Sequence, residues 1–323
     1  MSTFFDRLGS DMPHPMHLGG GVHMMHHELL QATQAFTAQK YALADDTYWG
    51  APATADQLDP GFYMVRVCHQ RGVLLVKTKT VSDDLLRLPD PVCDMLLSEF
   101  VTFWASVPKL VARGLLAKRG LLLWGPPGSG KTSALNIMAA HMLKELRGVA
   151  ILVGDPALTV AGLQLFRKVE PDRPVILIYE DIDALTQRYG EAPYLAMLDG
   201  EMQISGVVNV ATTNYPERLD PRFVDRPGRF DRITECPMPS SAARRAYIAA
   251  KAPEIGEEKR ETWVRSTDGL SLGHLRELIV AHLGLGEDDT AVIQRLTEMH
   301  ARTPSSDHVG GGRKVGFGAR PVL

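Results

Sequence analysis

Cysteine is scarce in this chain. Its 323 residues include three cysteines, Cys68, Cys93 and Cys236, and no two of them form a CxxC pair. This spacing argues against a disulfide framework and against the common zinc motifs, which need closely paired cysteines. Because disulfides are typical of oxidising compartments, we expect this chain to work in a reducing cytoplasm.

Long apolar runs and an excess of one charge are also missing. No stretch approaches the roughly 18 apolar residues that cross a bilayer, and the N-terminus lacks the basic and apolar regions of a secretory signal. With 35 Lys and Arg against 38 Asp and Glu, the formal net charge is −3. The chain therefore has no global basic excess for nucleic-acid binding, and only a local basic patch could serve that purpose.

The composition is globular, with 45% hydrophobic and 23% charged residues, and the length suits two or three domains. We predict five regions in chain order. They are a His- and Met-containing N-terminal segment that is partly disordered, a region with a β-hairpin, a large α/β domain, a small helical domain and a Gly-rich flexible tail. Their expected limits are 1–58, 59–88, 89–238, 239–301 and 302–323.

The apolar patterns support this division. Residues 61–81 alternate apolar and polar side chains around a central turn, which predicts the hairpin. Residues 92–107 have the apolar spacing of a helix. From Gly120 onward, short apolar runs alternate with helical stretches, and strands buried on both faces of a parallel sheet have runs of this kind. The predicted fold class is therefore α/β with a central parallel sheet, and the helical spacing after Pro239 predicts the small domain.

The stretch GPPGSGKT, Gly125–Thr132, follows a predicted strand and precedes a predicted helix. It is the Gly-x-x-x-x-Gly-Lys-Thr pattern of phosphate-binding loops in the context that this pattern requires. Its glycines let backbone N–H groups approach phosphate oxygens, and the helix N-terminus favours negative charge. Lys131 is placed to reach the β- and γ-phosphates, and the Thr132 hydroxyl to bind Mg²⁺. The sequence thus predicts ATP and Mg²⁺ as cofactors, and a nucleotide site formed by Gly125, Pro126, Pro127, Gly128, Ser129, Gly130, Lys131, Thr132 and Ser133.

Two adjacent carboxylates end an apolar strand in the stretch VILIYEDIDAL, residues 175–185. An uncompensated buried carboxylate is costly, so a bound cation would explain the pair. In P-loop enzymes Mg²⁺ lies between the loop and an acid at the end of a neighbouring strand. We predict that Glu180 binds Mg²⁺ through water and that Asp181 orients the attacking water. Asp183 is a candidate cap of the following helix.

Three stretches together resemble the AAA family of ATPases, within the AAA+ class of P-loop NTPases: GPPGSGKT, YEDIDAL and NVATTNYPERLDPRFVDRPGRFDRI. They stand in the family's order, and the resemblance covers roughly residues 89–301. It implies an α/β core followed by a helical lid, and hydrolysis of ATP. It also implies a homo-oligomeric ring, commonly a hexamer, with ATP bound between neighbouring subunits. The family uses hydrolysis to remodel, unfold or move a macromolecule.

Further site residues follow from this resemblance. Asn214 matches the sensor-1 residue of the family, whose amide meets the γ-phosphate and the lytic water. Arg226 and Arg229 match the paired arginines that reach the ATP of the neighbouring subunit. Gly273 and His274 match the lid segment that closes over the nucleotide. The resemblance thus implies catalytic roles for Lys131, Glu180, Asp181, Asn214, Arg226 and Arg229.

The chain departs from the family pattern at three places. The usual Asp-Glu pair is reversed to Glu180-Asp181. The reversed order resembles a subgroup that includes a mitochondrial translocase of folded Rieske iron–sulfur protein and AAA proteins of bacteria and phages, so a bacterial or phage-infected cytoplasm is expected. The stretch DPRFVDRPGR is one residue longer than the common form, which leaves open whether Arg226 or Arg229 is the main finger. Residues 160–162, Val-Ala-Gly, are the nearest match to the peptide-gripping loop of threading relatives, and its aromatic residue is missing.

The resemblance favours an oligomeric-ring remodeller, chaperone or translocase of a protein client. Two alternatives remain open: a DNA-linked motor or loader, and a nucleotide-gated assembly scaffold with slow turnover. The lack of a recognisable DNA-binding domain weighs against the motor, while the shorter acid at Asp181 keeps the scaffold open. The sequence identifies neither the client nor the role of residues 1–88.

Overall fold

The structure is a computed structural model that describes residues 40–44, 47–51, 55–69, 72–78, 86, 88–199 and 205–302. Most of the predicted N-terminal segment and nearly all of the predicted Gly-rich tail lie outside the described residues. All of the described strands belong to one nine-stranded sheet with the order β1-β2-β4-β3-β6-β7-β8-β5-β9. These strands are β1 (Lys40–Ala44), β2 (Thr47–Ala51), β3 (Gly61–Cys68), β4 (Gly72–Thr78), β5 (Lys118–Trp124), β6 (Val149–Leu152), β7 (Val175–Tyr179), β8 (Val207–Thr213) and β9 (Arg232–Glu235).

The strands from β5 onward form the parallel part of the sheet, which confirms the predicted α/β class. Alternate side chains of each strand enter two separate cores, one on each face. Leu121 and Leu123 pack on one face, whereas Leu122 packs on the other. Strands buried on both faces require apolar residues throughout, which is why they read as continuous runs in the sequence.

Helices cover both faces of this parallel part. Helices α1 and α2 form one core with it, and α3, α4 and α5 form the other. The helix predicted at 92–107 is present within α1, where Asp90 caps the N-terminus by accepting hydrogen bonds from Val92 and Cys93. The helices are α1 (Pro91–Val111), α2 (Lys131–Glu145), α3 (Pro156–Val169), α4 (Ile182–Tyr189), α5 (Ala192–Asp199), α6 (Ser241–Lys251), α7 (Glu257–Ser266), α8 (Leu272–Ile279) and α9 (Asp289–Arg302).

The predicted hairpin is present as the antiparallel pair β3 and β4, and it is part of the same sheet as the parallel strands. Strand β3 pairs in parallel with β6, so the hairpin continues the sheet. Helix α3 covers this junction, and it comes so close to β3 at Gly162 that a Cβ there would overlap the Val65 side chain. The hairpin is therefore packed firmly against the parallel part of the sheet.

A buried ion pair strengthens this attachment. Glu170, at the end of α3, pairs with Arg173, and both side chains are almost fully buried. The Glu170 carboxylate accepts a hydrogen bond from the backbone N–H of Leu58 at 3.0 Å, and Arg173 donates to the Leu58 carbonyl at 2.6 Å. The segment leading into β3 is thus bound at its backbone, because a buried charged pair is stable only when its polar atoms are satisfied.

The helices predicted after Pro239 are present as α6 to α9, and they surround a core of their own. Trp263 is fully buried at its centre and donates its indole N–H to Asp289 at 2.7 Å. A π-helical turn, Val280–Gly284, follows α8 directly. These four helices, which we call the lid, therefore form a compact unit. The position of the lid relative to the phosphate-binding loop determines what it contributes to the site.

Candidate nucleotide site

The phosphate-binding loop connects β5 to α2, as its sequence pattern requires. Gly125, Gly128 and Gly130 all have positive φ angles, of 154°, 77° and 98°. Side chains other than glycine rarely adopt this conformation, so these glycines shape the loop. A Cβ at Gly125 would also overlap the backbone oxygen of Cys236, which follows β9. The loop is therefore folded tightly against the end of a neighbouring strand.

Lys131 begins α2 and is buried, with 6% of its surface exposed. Its ammonium donates to the carbonyl oxygens of Gly125 at 2.7 Å and Pro126 at 2.9 Å. Burial lowers the pKa of Lys131, and the nearby charges of Asp181 and Asp183 partly offset this effect. The oxygens that bind the ammonium directly are neutral carbonyls, so an anion such as a phosphate would stabilise this buried cation further. Thr132 and Ser133 follow with exposed side chains at the helix start.

The predicted acids lie at the end of β7, beside this loop. Tyr179 ends the strand, and Glu180 and Asp181 extend beyond it with side chains that are partly open to solvent. Partial burial and the charge of Asp181 raise the pKa of Glu180. Asp181 has a positive φ of 47°, a strained conformation for a residue other than glycine. The backbone thus turns sharply at Asp181, just beyond the end of β7.

The neighbouring strand β8 supports these acids with hydroxyl and amide groups. Thr212 accepts a hydrogen bond from the backbone N–H of Asp181 at 3.1 Å, and Thr213 donates to the Asp183 carboxylate at 2.6 Å. The Asn214 amide lies 3.4 Å from the Asp181 carboxylate. The structure therefore brings Asp181 and Asn214 together. The expected cap at Asp183 is wrong, because the N-cap position of α4 is Asp181, and the Asp183 carboxylate binds Thr213 instead.

The two candidate finger arginines occupy different environments. Arg229 is buried, and its guanidinium forms two bonds of 2.6 Å with the two carboxylate oxygens of Asp199. Arg226 is exposed over 67% of its side chain and reaches the same Asp199 at a longer 3.3 Å. Arg229 is thus held within its own chain, whereas Arg226 has a free surface from which it could reach outward.

The lid contacts the phosphate-binding loop through Ser271, the N-cap of α8. A Cβ at Gly128 would overlap the Ser271 side chain, so the two segments touch. The Ser271 hydroxyl accepts from the backbone N–H of His274, and the His274 ring accepts in return from the Ser271 N–H at 3.2 Å. Gly273 lies between them on the exposed side. The predicted pair Gly273 and His274 therefore begins the helix that approaches the loop, but Ser271 makes the contact.

The nearest match to a peptide-gripping loop is not a loop in this structure. Residues 160–162 lie inside α3, and only three residues, 153–155, separate β6 from that helix. Asp155 caps the helix at once by accepting from the Leu158 N–H at 3.1 Å. This connection has no room for an extended gripping segment.

Several residues that support the site were not predicted from the sequence. Asp199, Thr212, Thr213 and Ser271 each bind or touch a predicted site residue. The run Ala-Thr-Thr-Asn, at the end of an apolar strand, could have indicated that Thr212 and Thr213 support the site. No local pattern indicates Asp199, because its partner Arg229 is far away in sequence. Within the described ranges, no cluster of three or more His, Cys, Asp or Glu side chains is arranged to hold a metal, and no helix is long and apolar enough to span a membrane.

Comparison with known proteins shows which sequences the region around this site resembles. Residues 121–238 match the model of the family described as "ATPase family associated with various cellular activities (AAA)". The chain is 33% identical over 218 residues to the ATP-dependent zinc metalloprotease FtsH of Acidothermus cellulolyticus, which covers 57% of this chain and 30% of that protein. It is 30% identical over 205 residues to the 26S proteasome regulatory subunit 10B of Dictyostelium discoideum, covering 56% of this chain and 51% of that protein.

A third relative is the ATPase family gene 2 protein homolog B of Bos taurus. It is 33% identical over 195 residues, which cover 54% of this chain and 24% of that protein. The chain thus spans about half or less of the length of these relatives. The matched region begins in β5 and ends just after β9, so it contains the phosphate-binding loop, the acids, the strand-end threonines and both arginines. Residues 121–238 of this chain thus match an AAA ATPase domain in sequence, and they fold as an α/β core that carries the phosphate-binding loop.

Proposed function

We propose that this chain assembles into a homo-hexameric ring and hydrolyses ATP there. The energy of hydrolysis is used to remodel a protein client. The observation that carries the proposal is the meeting of three groups at one edge of the sheet. These are the buried Lys131 ammonium, the Asp181 carboxylate and the Asn214 amide, with Asp181 near enough to Lys131 to act on its pKa and 3.4 Å from Asn214. The start of α2 supplies Lys131, and the ends of two neighbouring strands supply Asp181 and Asn214, as in the phosphoryl-transfer sites of P-loop enzymes.

The residues present fit ATP and Mg²⁺. The glycine-shaped loop offers backbone N–H groups, and the buried Lys131 ammonium offers positive charge to the β- and γ-phosphates. The Thr132 hydroxyl and the Glu180 carboxylate would hold Mg²⁺, which prefers oxygen ligands and retains water. Mg²⁺, when bound, supplies positive charge that neutralises the phosphates. Ser271 would bring the lid against the loop beside the nucleotide.

Hydrolysis would then depend on positioning. Asp181 would accept a hydrogen bond from the attacking water, and the Asn214 amide would donate to the γ-phosphate and help to orient that water. Arg226 would complete the site of a neighbouring subunit, where an arginine can raise the rate by about 10³–10⁵. Arg226 suits this role better than Arg229, because Arg229 is buried on Asp199.

The relatives indicate the class of client, and helix α3 indicates how the protein acts on it. FtsH and a proteasome regulatory subunit are among the proteins that this chain resembles, which favours a protein client. The three-residue connection before α3 leaves no gripping segment, so we propose remodelling without threading of an extended chain through such a loop. The reversed Glu180-Asp181 order supports a place in the subgroup that contains the Rieske-protein translocase.

A mixing experiment tests the shared active site. Arg226→Ala and Asp181→Asn chains should each be inactive alone but should recover ATP hydrolysis when mixed. In mixed assemblies some junctions combine an intact Asp181 with an intact Arg226. As a control, Asp181→Asn mixed with the Asp181→Asn, Arg226→Ala double variant should stay inactive. If tagged subunits co-migrate yet activity stays absent at every ratio, the shared site is wrong.

A second experiment distinguishes the kinds of client. We expect unfolded protein to stimulate ATP hydrolysis and single-stranded DNA to leave it unchanged. Stimulation by DNA alone would favour a DNA-linked motor. Tight ATP binding with negligible turnover under all conditions would favour a nucleotide-gated scaffold.

A further inference from the structure

Asp183 is a carboxylate at the nucleotide site to which the proposed mechanism gives no role. It lies in the first turn of α4, two residues after Asp181, and it is half-buried. Its Oδ1 atom accepts a hydrogen bond from the hydroxyl of Thr213 at 2.6 Å. Bonds from a hydroxyl to an ionised carboxylate are about 2.5–2.7 Å long and roughly twice as strong as neutral ones. A strong hydrogen bond therefore connects the start of α4 to the end of β8.

The Thr213 hydroxyl makes a second hydrogen bond. Thr213 is fully buried at the end of β8, and its oxygen accepts from the backbone N–H of Tyr215 at 3.0 Å. A threonine hydroxyl has one hydrogen and two lone pairs, and it rotates to suit its partners. Because the hydrogen points to Asp183, the lone pairs remain available to the Tyr215 N–H. The carboxylate thus fixes the direction of the hydroxyl.

The bonds of Thr213 enclose Asn214, the single residue between Thr213 and Tyr215. A hydroxyl that binds the backbone two residues ahead closes a compact turn. The chain continues directly into a short helical turn, Pro216–Arg218, whose first residue is buried. The Asn214 backbone is therefore held on both sides, while its amide lies 3.4 Å from the Asp181 carboxylate.

The main alternative is that Asp183 only stabilises α4. An acidic side chain in the first turn of a helix is favoured by the helix dipole. That role depends on charge alone, and it predicts an effect on stability but no specific effect on hydrolysis. The hydrogen bond to Thr213 goes further, because it reaches the residue that fixes the turn around Asn214.

We propose that Asp183 is a positioning residue for ATP hydrolysis, and that it acts through Thr213 to hold the Asn214 amide in place. This inference rests on the proposed function, in which Asn214 donates to the γ-phosphate and helps to orient the attacking water. Asp183 itself touches neither of them. Because a displacement of about 1 Å can lower a rate about 10²-fold, loosening this turn slows hydrolysis without weakening ATP binding.

Substitutions at Thr213 give the first test. Thr213→Val keeps the shape of the side chain but removes both hydrogen bonds, whereas Thr213→Ser keeps the hydroxyl. We expect Thr213→Val to lower the single-turnover rate of ATP hydrolysis about tenfold to a hundredfold, with the ATP affinity by isothermal titration within about twofold of wild type. Thr213→Ser should stay near the wild-type rate. The matched control is Thr159→Val, because Thr159 is 2% exposed in α3 and its hydroxyl donates to the Asp155 carbonyl; it should hydrolyse ATP normally.

Substitutions at Asp183 separate the hydrogen bond from the charge. Asp183→Asn keeps an oxygen that can accept from Thr213, whereas Asp183→Ala has none. Asp183→Ala should slow hydrolysis as much as Thr213→Val does, and Asp183→Asn should slow it much less. Equal losses in the two Asp183 variants would show that only the charge matters and would contradict the inference. Because Asp183 is half-buried, these variants should fold even if Thr213→Val does not.

An Asn214→Ala background separates positioning from general destabilisation. If Asp183 and Thr213 act only through Asn214, then Asp183→Ala and Thr213→Val should cause no further loss of rate once Asn214 is alanine. Loss by the same factor in both backgrounds would contradict the positioning role. If Asn214→Ala slows hydrolysis but Thr213→Val and Asp183→Ala do not, the positioning role is wrong and the proposed function stands. If the wild-type chain binds ATP but hydrolyses none, the proposed function and this inference are both wrong.

Discussion

The Asp199 carboxylate binds the Arg229 guanidinium through two parallel hydrogen bonds of 2.6 Å, and it also reaches Arg226 at 3.3 Å. Two-pronged contacts of this kind fix orientation as well as distance. Asp199 lies at the end of α5, so it ties the arginine-bearing loop to the helix pair that follows the strand-end acids. The second arginine thus holds the loop, while the first remains exposed.

This difference predicts separate effects for the two arginines. Arg229→Ala should lower the free energy of unfolding by about 2 kcal/mol, because a buried charged hydrogen-bonding group is lost and Asp199 loses its main partner. Arg226→Ala should change it by less than about 0.5 kcal/mol, as for an exposed side chain. Urea denaturation of the isolated subunits measures both. If both variants lost the same free energy of unfolding, the two arginines would not differ in their contribution to stability as their burial predicts.

Lys131→Ala should abolish tight ATP binding, because the phosphates lose their main cationic side chain. Isothermal titration measures the affinity. The control is Lys144→Ala, which removes a lysine that is 85% exposed at the other end of the same helix and should bind ATP normally. An affinity of Lys131→Ala within about threefold of wild type, under 1 kcal/mol, would contradict the site.

Asp181→Asn should keep ATP and Mg²⁺ bound but block hydrolysis, since the attacking water loses its acceptor. Glu180→Gln should first weaken the Mg²⁺-dependent part of ATP binding. Nucleotide affinity with and without Mg²⁺, together with turnover, separates the two phenotypes. An exchange of these phenotypes would show that the roles of the two acids are reversed.

The stability of the folded protein should depend on pH through the ionisation of Glu180. Folding raises the pKa of Glu180, chiefly through partial burial and then through the charge of Asp181. Between its ordinary and its raised pKa, the folded chain holds a proton that the unfolded chain has released, so this group makes stability fall as pH rises through that window. At neutral pH the ionised carboxylate therefore opposes folding of the nucleotide-free protein.

Glu180→Gln should consequently raise the Tm of the nucleotide-free protein at neutral pH, and the gain should shrink as the pH falls below the window. Thermal unfolding of both proteins across that range measures the effect. Added Mg²⁺ and ATP should stabilise the wild type more than the variant. A gain that grows toward low pH would have the opposite sign and would exclude a raised pKa at Glu180.

The junction between α3 and β3 gives a test of packing. Gly162→Ala should destabilise the protein by about 1 kcal/mol, because overlap with Val65 costs about 1–3 kcal/mol and alanine favours a helix over glycine by roughly 1 kcal/mol. In a Val65→Ala background the same substitution should be neutral or stabilising. Chemical denaturation of the four proteins in this cycle measures the coupling. Independent, additive effects would mean that the two side chains do not meet.

Much of the site could be predicted because its signals are local in sequence. The phosphate-binding loop needs glycines, a lysine and a threonine within eight residues, so the pattern GPPGSGKT specifies its own conformation. The strand that ends at Glu180 and Asp181 reads as buried because apolar residues fill both of its faces. Parallel strands end at the same edge, so the nearness of Lys131, Asp181 and Asn214 followed once the strands were recognised.

Contacts between residues distant in sequence were decided by the tertiary structure alone. Asp199 is thirty residues from Arg229, and no local pattern marks it as the partner that buries one arginine and leaves Arg226 exposed. The hairpin was visible in the sequence, but its place in the sheet depends on backbone pairing with β6 and on a glycine in α3 opposite Val65. Backbone hydrogen bonds carry no side-chain signature, and a close approach needs both surfaces in place. The amino-acid sequence thus determined the chemistry of the site, whereas packing determined which groups are held and which are free to act.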